Sequence, residues 1–134
     1  MAPSENQLMT LQRAYQTIKT AMNIEDYREF CLSLKGATEG FPFGDDTLVF
    51  KVKNKVFTLA SLEPFSFNVK CDPEKAIELR ESYPDVLPGY HMNKRHWNTI
   101  KISGAVSDDK LRQWIRDSYD LVVASLPAKL RLDL

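Results

Sequence analysis

The stretch TLVFKVKNKVFTLASL, residues 47–62, decides how this chain folds. Apolar side chains alternate with polar ones on either side of Lys53 and Asn54, as in two half-buried strands joined by a two-residue turn. A turn at that pair sets Val52 opposite Lys55, Phe50 opposite Phe57 and Leu48 opposite Leu59, so the large apolar groups share one face. A slip of one residue would mix the faces. Downstream, SFNVK at 66–70 turns Phe67 and Val69 inward and Ser66, Asn68 and Lys70 outward. WNTIKI at 97–102 repeats the alternation, with Ile100 and Ile102 toward the core and Trp97, Thr99 and Lys101 on the other side. Upstream, Thr38 to Asp46, with FPFGDD at its centre, has turn formers and no period, and reads as a loop.

Helices flank these strands. Asn23 caps one that carries Ile24, Tyr27, Phe30, Cys31 and Leu34 on one side, with Gly36 as its stop. Asp72 and Pro73 open a second, with Ala76, Ile77 and Leu79 apolar to about Tyr83. Ser107 caps the last, where Leu111, Trp114, Ile115, Ser118, Val122 and Ser125 trace a stripe that ends before Pro127. Ser4 to Met22 spaces Leu8, Leu11, Tyr15, Ile18 and Met22 as an amphipathic helix. It is too short for an independent coiled coil, so a docked helix and a monomer are expected over a dimer seam. Helices at both ends with strands between them predict an α+β two-layer sandwich, an antiparallel sheet with helices packed on one face. Its other face, open to solvent, would show Lys51, Thr58, Asn68, Lys70, Trp97, Thr99 and Lys101.

The 134 residues carry 18 basic and 18 acidic side chains, which argues against bulk electrostatic coating of nucleic acid. Charge is nevertheless segregated: residues 47–62, 64–71 and 86–107 hold no carboxylate, whereas residues 1–46 hold seven acids against four bases. No apolar run approaches a membrane span and the N-terminus lacks a secretory pattern, so a cytoplasmic protein without a membrane partner is expected. Cys31 and Cys71 have no metal-ligand spacing and read as free thiols. His91 and His96 flank Lys94 and Arg95 with no acid nearby, so neither a metal nor another cofactor is assigned. For catalysis, Cys31 falls on an apolar helix face, while Cys71 precedes a helix N-terminus that would lower its pKa. With no partner constellation for either thiol, no catalytic residue is assigned and an enzyme is not expected.

Several runs, in order, resemble the MmcQ/YjbR family of small bacterial proteins. They are CLSLKGATEGFPFG at 31–44, TLVFKVKNKVFTLA at 47–60, NVKCDPEKAIELRESYPDVLPGYHMNKRHWNTI at 68–100 and SYDLVVASLPAKLR at 118–131, with PGYHMNKRHWNT the most specific block. The resemblance implies a frataxin-like (CyaY-like) α/β fold of the double-wing type, the source of a suggested DNA-binding role. Family members usually start near Met22, so residues 1–21 read as an N-terminal helical extension and 22–134 as the family domain.

The expected function is therefore a nucleic-acid-binding module that uses a basic, aromatic-bearing sheet and loop surface. Its candidate residues are Lys55, Asn68, Lys70, Tyr90, His91, Lys94, Arg95, His96, Trp97 and Lys101. The cations would neutralise phosphates in weak, salt-sensitive binding, Trp97 or Tyr90 would stack, and Asn68 and Asn98 would read base edges. The alternative is a module for a small anionic ligand or a protein partner, without catalysis.

Overall fold

In the computed structural model, which describes residues 2, 4–10, 21–89 and 92–134, the chain runs α1 (Ile24–Ser33), β1 (Ala37–Gly40), β2 (Thr47–Val52), β3 (Lys55–Leu62), β4 (Phe65–Lys70), α2 (Pro73–Ser82), β5 (Val86–Pro88), β6 (Trp97–Lys101), α3 (Asp108–Ala124) and α4 (Ala128–Leu132). The strands form one antiparallel sheet in the order β1-β2-β3-β4-β6-β5. Tyr27 and Cys31 of α1, Ala76 and Leu79 of α2, and Leu111, Trp114 and Ile115 of α3 share a single buried cluster with Phe50, Phe57, Phe67 and Ile100 of the sheet. The helices therefore cover one face, and the two-layer α+β reading stands. Residues 5–10 are also helical, and the remainder of the expected N-terminal stripe, Leu11 to Ile18, lies outside the described residues.

The decisive turn forms at Lys53 and Asn54. Both take positive φ, 48° and 67°, as the tight turn that matches strand twist requires. Val52 pairs with Lys55 as expected, but the other two pairings differ: Phe50 faces Thr58, and Leu48 faces Ala60. A bulge between Phe50 and Lys51 on one strand and Thr58 and Val56 on the other leaves Phe57 as an extra residue. Phe57 and Thr58 consequently both turn toward the helices, and parity reverses beyond them. Thr58, expected on the open face, is fully buried, and its hydroxyl lies 2.9 Å from that of Tyr27. Leu59, expected in the core, packs on the opposite face with Val49 and Trp97.

Ser118 stitches this bulge to α3. Its hydroxyl donates to the Phe57 carbonyl (2.5 Å) and accepts from the Lys70 amide (2.7 Å). Two backbone groups, one of them on the bulge's extra residue, are thereby satisfied by one side chain, which explains a hydroxyl in the middle of an apolar helix stripe.

The caps follow the sequence closely. Asn23 and Asp26 form a reciprocal capping box, Ser107 accepts from the Lys110 amide, and Gly36 takes φ of +76° just past α1. Three elements went unread. β1 (Ala37–Gly40) overlaps the start of the segment 38–46 that reads as a loop. It is a four-residue edge strand whose Glu39 is tied to Arg28 of α1 through two hydrogen bonds of 2.7 and 2.5 Å. β5 is three residues long and ends at a proline. Beside it, Gly89 donates to the Trp97 carbonyl at 2.8 Å, so close that a Cβ there would stand 2.8 Å from the Cβ of Trp97. The third is α4, beyond Pro127. Ile77 and Ser125, placed on apolar stripes, are exposed.

Candidate functional site

The uncovered face of the sheet is organised by cross-strand rows. Leu59, Asn68 and Thr99 form one row across β3, β4 and β6, and Ser61, Ser66 and Lys101 form the next. Above them lies a groove of about 570 Å³ lined by Phe43, Asp46, Thr47, Leu59, Ala60, Ser61, Ser66, Asn68, Met92 and Thr99. Among these lining residues there is one carboxylate and no lysine or arginine.

Asn68 sits on the groove floor, only 9 % exposed. Its backbone is held from below, where the Thr58 hydroxyl donates to its carbonyl at 2.7 Å, and its Oδ1 accepts from the Thr99 hydroxyl at 2.5 Å. Its Nδ2 has no protein partner among the described residues, and no buried side-chain nitrogen or oxygen is left unsatisfied. That amide N–H therefore opens onto the groove.

The parity expected for β6 is observed: Ile100 is fully buried under the helices, and Trp97, Thr99 and Lys101 lie on the opposite side. Trp97 nevertheless cannot serve as an open stacking platform. At 9 % exposure its indole is packed with Val49, Leu59, Val56 and Met92 in a small apolar cluster. Asn98, proposed to read base edges, is fully buried on the helix side. Its Nδ2 donates to the Ala76 carbonyl (3.2 Å), and its Oδ1 accepts from Arg80 (2.6 Å).

The expected cations do not converge. Lys94 and Arg95 are exposed in a turn before β6, while Lys101 is exposed at the far end of that strand, four residues and about 13 Å beyond Trp97 at a strand's rise. Lys55 is exposed beside the hairpin turn. Lys70 borders a separate cleft of about 360 Å³ between α2 and α3, with Cys71, Lys75, Trp114 and Asp117. His96 is half-buried, and its carbonyl accepts from the Cys71 amide at 2.7 Å. Tyr90 and His91 lie outside the described residues.

Arg80, which the sequence reading passed over, organises the basic turn. Its guanidinium donates to Asn98 Oδ1 and to the carbonyls of Lys94 and Trp97 (3.3 Å for the last). A lone arginine on a helix gives no sequence signal of such a role.

Both thiols are disfavoured as thiolates. Burial pushes Cys71 up to about 11, with Asp117 adding to the effect, so the proximity of a helix N-terminus does not activate it. Cys31, buried in the core, is raised further still by the same cause. Among the described residues no group of three or more His, Cys, Asp or Glu side chains is placed to hold a metal, and no helix is long and apolar enough to cross a membrane.

A six-stranded antiparallel sheet backed by helices on one face and carrying a groove on the other defines the class. The chain belongs to the YjbR family, whose model matches residues 32–121. It is 39% identical to Escherichia coli O157:H7 protein YbdF over 104 residues, 76% of this chain and 85% of that one. It is 28% identical to YjbR of Escherichia coli K12 over 82% of this chain and 95% of that one. Among solved structures it is similar to a Deinococcus radiodurans protein with a DUF419 domain. That likeness has a TM-score of 0.80 and 36% identity, and covers 85% of this chain and 88% of the other.

Proposed function

We propose that this protein is a small-molecule-binding module whose site is the groove on the uncovered sheet face. The observation that carries this reading is Asn68, an amide nine-tenths buried on the groove floor, fixed at one end by Thr99 and with its other end open to the groove. A polar group held in place on a groove floor with its donor facing the open space is the kind of fixed group that pockets use to orient a ligand. The volume suits a small organic molecule, and Phe43, Leu59 and Met92 supply apolar wall. The test is to follow backbone amide NMR shifts while adding a mixture of small neutral and anionic compounds and, separately, a 20-nucleotide DNA duplex. Shifts at Ser61, Asn68 and Thr99 with the small compounds support the groove, and their absence there rejects it.

Nucleic-acid binding at the basic turn is the second reading, favoured by the way Arg80 preforms the Lys94–Arg95 turn from three oxygen contacts. Such binding would weaken steeply between about 50 and 200 mM salt and would vanish in a Lys94→Ala, Arg95→Ala double variant. If DNA retention at low salt is unchanged in that variant, this reading falls.

A further inference from the structure

Resting on the groove assignment above, we propose that the ligand is an uncharged hydroxylated ring, the chemistry shared by a neutral sugar and the ribose of a nucleoside. The lining offers neutral hydrogen-bonding groups at Thr47, Ser61, Ser66 and the Asn68 amide, while the Thr99 hydroxyl is already engaged with Asn68. Such groups pair with hydroxyls and ring oxygens in either direction, because each hydroxyl both donates and accepts. Asn68 Nδ2 supplies a fixed donor on the floor, and Asp46 supplies an acceptor at the edge, the group that best receives hydroxyl protons.

The remaining wall accounts for the ring. Phe43 is 67 % exposed and lines the groove from the loop before β2, so an aromatic face stands ready to cover the apolar side of a bound ring. Together with Met92 and Leu59 it makes the groove amphipathic, as a sugar ring is, with C–H groups on one side and hydroxyls around the rim.

The charge of the described lining residues favours a neutral ligand over an anionic one at this site. Asp46 is the charged member of the lining, and no cation among the described lining residues offsets it. Lys101 ends the Ser61–Ser66 row but does not line the groove. A phosphate or carboxylate seated there would face a carboxylate in a partly desolvated space without a counter-charge.

The experiment titrates the full 15N-labelled chain with methyl β-glucoside, adenosine and adenosine 5′-monophosphate separately, each to about 10 mM, a range that detects millimolar binding. Amide shifts at Ser61, Ser66, Asn68 and Thr99 are expected with at least one neutral ring, and which ring gives them identifies the source. The monophosphate is expected to bind at least tenfold more weakly than adenosine. Asn68→Ala is expected to weaken the neutral ligand about tenfold, and Phe43→Ala, a change on an exposed loop that leaves folding intact, about fivefold. Groove shifts from the monophosphate that exceed those from both neutral rings overturn the ligand class while leaving the groove reading in place. Silence of all four amides with every probe overturns both.

Discussion

The two faces of this sheet are built from the same strands and differ in what they are filled with. Toward the helices, Phe50, Phe57, Phe67, Ile100 and Trp114 interlock in one continuous cluster, and the polar atoms there are consumed locally: Thr58 by Tyr27 and Asn68, Ser118 by the bulge, Asn98 by Arg80 and Ala76. Away from the helices, the buried cluster shrinks to Val49, Leu59 and Trp97, and hydroxyls and an amide line a groove beside it. The contrast teaches that burial alone does not separate scaffold from site. Asn98 and Asn68 stand on neighbouring strands and are both largely buried, but among the described residues the first has both ends of its amide engaged and the second only one.

Each tryptophan probes one face. Trp114→Ala removes an indole from the continuous core, where it meets the ring of Tyr83 edge-on at 5.1 Å, and should cost about 3–5 kcal/mol in denaturant unfolding. Trp97→Ala should cost less, about 1.5–3 kcal/mol, because fewer groups close around it. Equal losses would mean that the uncovered face carries as much of the fold as the covered one, and the distinction would break.

Ser118→Ala sharpens the comparison from the covered side. Removing its hydroxyl strands the Phe57 carbonyl and the Lys70 amide beside a bulge and should cost about 1–3 kcal/mol, although the side chain loses a single oxygen. A loss near zero would show that the bulge needs no support from α3.

That bulge also marks where the sequence stopped being legible. Parity along WNTIKI and SFNVK was readable because both strands alternate without interruption, and the caps at Asn23 and Ser107 were readable because their residue types have one common use. In KVFTLASL two strands of alternation are spliced at Phe57–Thr58, and both residues are good strand formers, so nothing local announces the extra residue. The cost fell on the site: Thr58 was assigned to the wrong face, and Leu59 to the core. Trp97 was placed on the correct face, yet its burial depends on Val49, Leu59 and Met92, neighbours that no single strand pattern reveals. β1 escaped because a short edge strand carrying Glu and Gly has none of the composition of an interior one.

Cys71 separates chemistry from packing. With its thiol raised to about 11 against an ordinary value near 9.0, it should react with iodoacetamide at pH 8 about a hundredfold more slowly than a free thiol, as the thiolate fraction falls by two decades. The folded state holds this proton where the unfolded chain releases it. Its contribution to stability is therefore intact below about pH 9 and is lost as pH climbs toward 11. Cys71→Ala should flatten that alkaline decline. Alkylation as fast as that of glutathione would show that burial does not hold the proton, and only faster alkylation would restore the activated-thiol reading.

The smallest effect belongs to Lys101, and its smallness is informative. It ends the Ser61–Ser66 row on the uncovered face, exposed and without an ion pair among the described residues, so Lys101→Ala should change stability by less than about 0.5 kcal/mol. The same variant separates the two binding readings. A DNA-binding surface that ran from the basic turn down β6 would lose affinity and salt dependence with it, whereas a neutral ring seated on Asn68 would be indifferent. A stability loss above 1 kcal/mol, measured by urea unfolding, would instead place the Lys101 stem against buried surface and bring the face assignment of β6 into question.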